Sequence, residues 1–188
     1  YVAELSGDDT TLDLTGWVTL NNTSGTSYNN AHMQLVAGDV NIIRQQMAPR
    51  PYNRVASLEM SVDTAPKMSQ ESLLEYHLYT LNRPTTIQDQ QSKQVSLLAA
   101  MSIPVKKQLV LDGGHYYYRA STAHIGRKLK FGIFIEVANE KQAGLGLPLP
   151  KGVVRVYKRD ASHAIQFVGE DRIDHTPNKD KVRLRLGD

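Results

Sequence analysis

The 188-residue chain has no cysteine, one tryptophan and three phenylalanines. Without thiols it forms no disulfide and no thiolate zinc site. That absence fixes no compartment, because secreted and cytosolic chains both do without cysteine. No apolar run approaches the roughly 20 residues that a membrane-spanning helix needs. Position 1 is Tyr rather than Met, with no apolar leader, so the chain reads as a piece of a longer protein. Gly-x-Ser-x-Gly and His-Glu-x-x-His are missing, and the glycines from 144 onward lack the third member of a dinucleotide fingerprint. No catalytic residue, metal or cofactor is therefore assigned. No repeat of 20–50 residues is visible.

What is there is ordinary in amount and uneven in place. Hydrophobic residues make up 40% and charged residues 22%, which suits one β-rich globular domain over 1–188. Residues 1–100 carry six Lys and Arg against ten Asp and Glu, whereas 101–188 carry sixteen against nine. The basic half suits an anionic partner or a solvated surface. It shows no nucleic-acid-binding motif, and no nucleic acid is expected.

The hydrophobic pattern repeats every two residues. Leu12, Leu14, Gly16, Val18 and Leu20 share one parity, which predicts a half-buried strand. "NNTSGTSYNN" reads as a turn and "AHMQLVAG" as the returning strand, so 11–37 is predicted to be a hairpin. Asn21 and Asn22 each open an Asn-x-Ser/Thr pattern, which matters only in a eukaryotic secretory pathway. Residues 44–72, with Pro49, Pro51 and Pro66, read as a long mobile insertion. "LEYHLYTL" is a strand. "KQVSLLAAMSI", a strand or buried helical turn, is expected to end before Pro104. "QLVL", "DGG" and "HYYYRA" form a tight hairpin. Leu129, Phe131, Ile133, Ile135 and Val137 alternate in the next strand. "GVVRVYKRD" and "HAIQFVGED" pair around Arg159–Ser162, and "KVRLRLGD" closes the chain. Nine or ten short strands predict an all-β fold, with sandwich-like antiparallel sheets and one long irregular insertion.

"LGLPLPKGVVRVYKRD", "FVGEDRIDHTP", "GWVTLNNTSGTSYNNAHMQLVAGDV" and "EYHLY" together resemble the bacterial family known as domain of unknown function 4139. The resemblance spans nearly the whole chain outside the insertion. It implies an all-β fold, a bacterial source and a location in the cell envelope, periplasmic or exported. It implies no activity and no site residues. The resulting expectation is a non-catalytic module serving interaction or structure, partnered by a protein or an anionic envelope component. The alternative is a hydrolase or glycan-active enzyme with a site assembled from loops.

Four segments are candidates for function. "GLGLPLPKG" carries Leu145, Leu147 and Leu149 at alternate positions, and prolines keep it out of a central ladder. It either caps an open end of the core or docks a partner as an apolar finger, and capping is the commoner fate of leucines. Lys181, Arg183 and Arg185 share a parity, with Arg155 outward on an earlier strand. Together they form a candidate anion-binding face, unless carboxylates pair with them. "GEDRIDHTPNKD" gathers Glu170, Asp171, Asp174 and His175, which could hold a hard cation but read more simply as a polar turn. Tyr116 and Tyr118 of "HYYYR" would share a strand face and could stack a ligand, although half-buried strand tyrosines are the plainer reading.

Overall fold

A computed structural model describes residues 1–37, 68–73, 76–111 and 129–188. Within them the chain is all β, built from several antiparallel sheets, as the period-two pattern predicts. No helix among the described residues is long and apolar enough to cross a membrane. The strands are β1 (Val2–Leu5), β2 (Thr11–Asn21), β3 (Tyr28–Ala31), β4 (Gln34–Ala37), β5 (Met68–Leu73) and β6 (Tyr76–Leu81). They continue with β7 (Thr85–Ile87), β8 (Ser92–Val110), β9 (Gly132–Ala138), β10 (Gly152–Arg159), β11 (Ile165–Ile173) and β12 (Lys181–Gly187).

The chain divides into two compact units, one of Tyr1–Thr15 with Ala99–Asp188 and one of Gly16–Leu98. The boundary falls inside β2 and inside β8. In the first unit the strands run in the order β11-β10-β1-β2-β8-β9-β12. β1 pairs parallel to β10 and antiparallel to β2, and the β10–β11 and β9–β12 pairs are antiparallel. Alternate residues supply the core: Ala3 and Leu5, Leu12 and Leu14, Ile135 and Val137, Val154 and Val156, Val182 and Leu184. The sheet is rolled, so its two outermost strands come together. The Arg185 backbone N–H donates to the Asp171 carboxylate at 2.7 Å. Gly169 lies so close to the Leu186 backbone that a β-carbon there would overlap it. Only glycine permits that approach.

β8 corrects the sequence reading at Pro104, because it runs straight through the proline. Ser102 takes a left-handed φ of 54°, and its N–H leaves the ladder to donate to Asp13 at 2.7 Å. Proline is accommodated at such an irregularity because the ladder is already interrupted there.

The second unit contains a three-stranded sheet, β4-β6-β5, and a β3–β7 pair. The hairpin predicted over 11–37 does not form. β4 pairs with β6 and β3 with β7, while β2 lies between β1 and β8. The turn signal in "NNTSGTSYNN" is real, but Asn22 uses it differently. Its buried side-chain amide donates to the carbonyls of Thr26 (2.8 Å) and Gln88 (2.9 Å) and accepts from Ser24. Tyr79 is buried, and desolvation pushes its hydroxyl pKa up to about 12. Residues 44–67 of the expected insertion lie outside the described residues. Its last stretch belongs to β5, which pairs with β6.

Candidate functional site

The leucine loop is a plug. It leaves β9 through a 3-10 turn at Lys141–Ala143 and reverses at Gly144 (φ 86°) and Gly146 (φ 76°). A β-carbon at Gly146 would sit 2.6 Å from the Lys141 backbone, so this turn admits only glycine. Leu145 and Leu149 are buried, and Leu149 exchanges both backbone bonds with Thr176 at 2.8 and 2.9 Å. With Leu12, Val154 and Leu184 they line an apolar cavity of about 20 Å³. That is room for about one water, and an all-apolar lining leaves it dry. Asn139 holds the plug in place. Fully buried, it donates to the carbonyls of Leu147 (2.8 Å), Thr176 (3.3 Å) and Pro177 (2.8 Å) and accepts from the Gly146 N–H (3.1 Å).

Two of the three candidate docking leucines are thereby corrected. Leu145 and Leu149 face the core and present nothing to a partner. Leu147 alone reaches the surface, 39% exposed. Alternation alone would put all three on one side; the left-handed turns at Gly144 and Gly146 break the extended run and part Leu147 from the other two.

The candidate anion face carries carboxylates of its own. Arg155 pairs with Glu170 at 3.1 Å, Lys181 with Glu136 at 2.9 Å, and Arg185 with Asp188. Arg183 lies 4.0 Å over the Phe134 ring. The Lys181 hydrogen bond holds the Glu136 carboxyl below its ordinary pKa, and Glu136 raises that of Lys181 in turn. The Arg185 hydrogen bond likewise lowers Asp188. The cations do face outward, as parity requires, but neighbouring strands supply carboxylates to Arg155 and Lys181, and Asp188, three residues on, supplies one to Arg185.

Glu170 and Asp171 of the acidic stretch lie in β11, and the turn read from sequence begins only after Ile173. Glu170 serves Arg155, and Asp171 accepts from the backbone N–H groups of Arg172 and Arg185. No group of three metal-capable side chains occurs among the described residues. Tyr116 and Tyr118 lie outside the described residues.

A feature not singled out from sequence lies at the β10–β11 hairpin. The turn is built by Asp160, whose carboxylate accepts from the Ser162 hydroxyl (2.6 Å), the Ser162 and Ala164 N–H groups (2.9 and 3.0 Å) and the Gln166 amide (2.9 Å). The Ser162 hydrogen bond first, then that of Gln166, lowers its pKa to about 2. The ladder shifts between Val156 and Tyr157, leaving Val168 as the extra residue of a bulge. Beyond the bulge the strand is open on both faces. Ile165, Phe167 and Val168 are 54%, 56% and 36% exposed. Tyr157 and Phe167 meet edge to face, ring centres 5.7 Å apart. The sequence signal was available in "AIQFV": alternation predicts one buried set there, and the structure buries neither.

No family model, curated protein or solved structure matches this chain.

Proposed function

We propose that this chain is a non-catalytic all-β interaction module that engages other proteins through the β10–β11 hairpin. The observation that carries this reading is the run Ile165–Val168, which holds three exposed apolar residues out of four on the outermost strand of its sheet. Edge strands are ordinarily guarded by charge, proline or cover. Exposed apolar surface of this kind marks interaction sites. Its placement in the bacterial envelope, exported or periplasmic, is supported by the family resemblance of the four sequence blocks.

The test is site-specific photo-crosslinking. A photoreactive residue at position 167 is expected to trap discrete protein adducts, and one at Lys106, exposed on β8, is not. Equal adduct patterns at the two positions would remove the hairpin as the docking element.

A further inference from the structure

The second compact unit carries a lysine on an inward row. Lys93, at the start of β8, shares the parity of Val95 and Leu97, which are buried, and is itself half-buried. Apolar residues ordinarily fill such a row. The Lys93 ammonium donates to the Thr85 hydroxyl at 2.7 Å and to the Thr86 carbonyl at 3.3 Å. Both acceptors are neutral, and among the described residues no carboxylate pairs with it. Arg155, Lys181 and Arg185 each have one. An ammonium has three N–H donors, so one of the three is left over.

Lys93 lines a small polar cavity together with Arg83, Thr85, Gln94 and Ser96, all within the second unit. We propose that this cavity binds a phosphate group. Its volume of about 10 Å³ has room for about one oxygen-sized atom, so a single phosphate oxygen enters and the rest of the ligand stays outside. That oxygen accepts from Lys93. The Thr85 oxygen already takes a Lys93 bond, which leaves the hydroxyl hydrogen to donate to the same anion. Arg83 has a partner of its own in the protein and adds positive charge at the exposed side of the cavity. A phosphate suits the place better than a carboxylate or a halide. It carries close to two charges and three strong acceptor oxygens, so one can enter while the others face Arg83.

The test is a nuclear magnetic resonance titration of the whole chain with sodium phosphate, near neutral pH and at low ionic strength. The amides of Thr85, Thr86, Lys93 and Val95 are expected to shift and saturate, and sodium chloride at equal ionic strength should not saturate them. Lys93→Met suits the inward row and removes the charge. It should weaken phosphate binding about tenfold or more, the share of one charge-assisted hydrogen bond. Lys106→Met, on an exposed part of β8, should bind as the wild type does. Glycerol phosphate separates two sources of the group. Binding as tight as that of the inorganic ion assigns the cavity to a phosphate ester, and exclusion assigns it to the free ion. Should Lys93→Met fail to fold, the wild type still decides, because phosphate should raise its melting temperature above that in chloride of equal ionic strength. The absence of any saturable shift, equal shifts in chloride, unchanged binding by Lys93→Met, or equal melting in the two salts would overturn the proposal. Lys93 would then be a charge that keeps the strand from pairing wrongly.

Discussion

Asn139 concentrates more of the structure than any charged residue discussed above. Its side chain serves three carbonyls and one N–H in a place without solvent. Asn139→Ala leaves those groups buried without that partner, at about 1–3 kcal/mol for each one that finds no substitute. A loss of about 3 kcal/mol or more in urea denaturation is expected, and a loss under about 1 would show that the plug holds by packing alone. The leucines divide in the same assay. Leu149→Ala empties a buried site and should cost about 2–5 kcal/mol. Leu147→Ala should cost less than about 1, because that side chain already meets water. Equal losses for the two leucines would contradict the burial that parts them. Nothing in the sequence marks Asn139, since asparagine after a strand ordinarily reads as a turn residue.

Among the elements, the β10–β11 hairpin turn is tied to pH through Asp160. Asp160 ionises at about 2 in the folded chain, below its ordinary value of 3.8. The folded state therefore favours the carboxylate, and this support is complete above about pH 4 and fades as pH falls toward 2. Asp160→Ala should lower the melting temperature at pH 7 and make little difference at pH 2. A gap of the same size at both values would mean that the carboxylate's charge is not what holds the turn. Gly169 limits the next strand pair: Gly169→Ala should lower the melting temperature, since β12 must retreat from the Leu186 contact.

Legibility in the sequence follows the same elements. β10 and β12 were readable because their apolar residues alternate and glycine or polar turns bound them. The partners of β3 and β4 were not, because pairing depends on which strand edges remain available and not on distance along the chain. Pro104 misled for a related reason, since the Asp13 carboxylate that relieves the ladder beside it lies 91 positions earlier in the chain, a relation no local pattern reveals. At the candidate site, parity correctly turned Lys181, Arg183 and Arg185 outward. It could not show that Glu136 waits beside Lys181, because strand order decides that, whereas Asp188 lies only three residues beyond Arg185.

Taken over the whole molecule, a net charge of +3 and a basic second half suggest an anion binder until the partners are counted in. The Arg155, Lys181 and Arg185 cations each meet a carboxylate, and exposed pairs of this kind are solvated and screened. Heparin binding near physiological salt should therefore be weak and the same for wild type and Arg183→Glu/Arg185→Glu. Tight binding that is lost on this charge reversal and declines steeply with salt would restore the anion face.

The plug also has a place in time. Its clamp, Asn139, and its leucines are made before the segment that receives them, Thr176 to Asp180, which lies between the last two strands. The loop cannot seat until that segment has emerged and β11 and β12 are in position. Until then Leu145 and Leu149 stand in water, and exposed apolar chain of this kind is what aggregates or is held by chaperones during synthesis. Refolding should show the same order. In pulse-labelled hydrogen exchange, the amides of Gly146 and Leu149 should gain protection after that of Val156. Protection of all three in one step would mean that the plug seats together with the sheet.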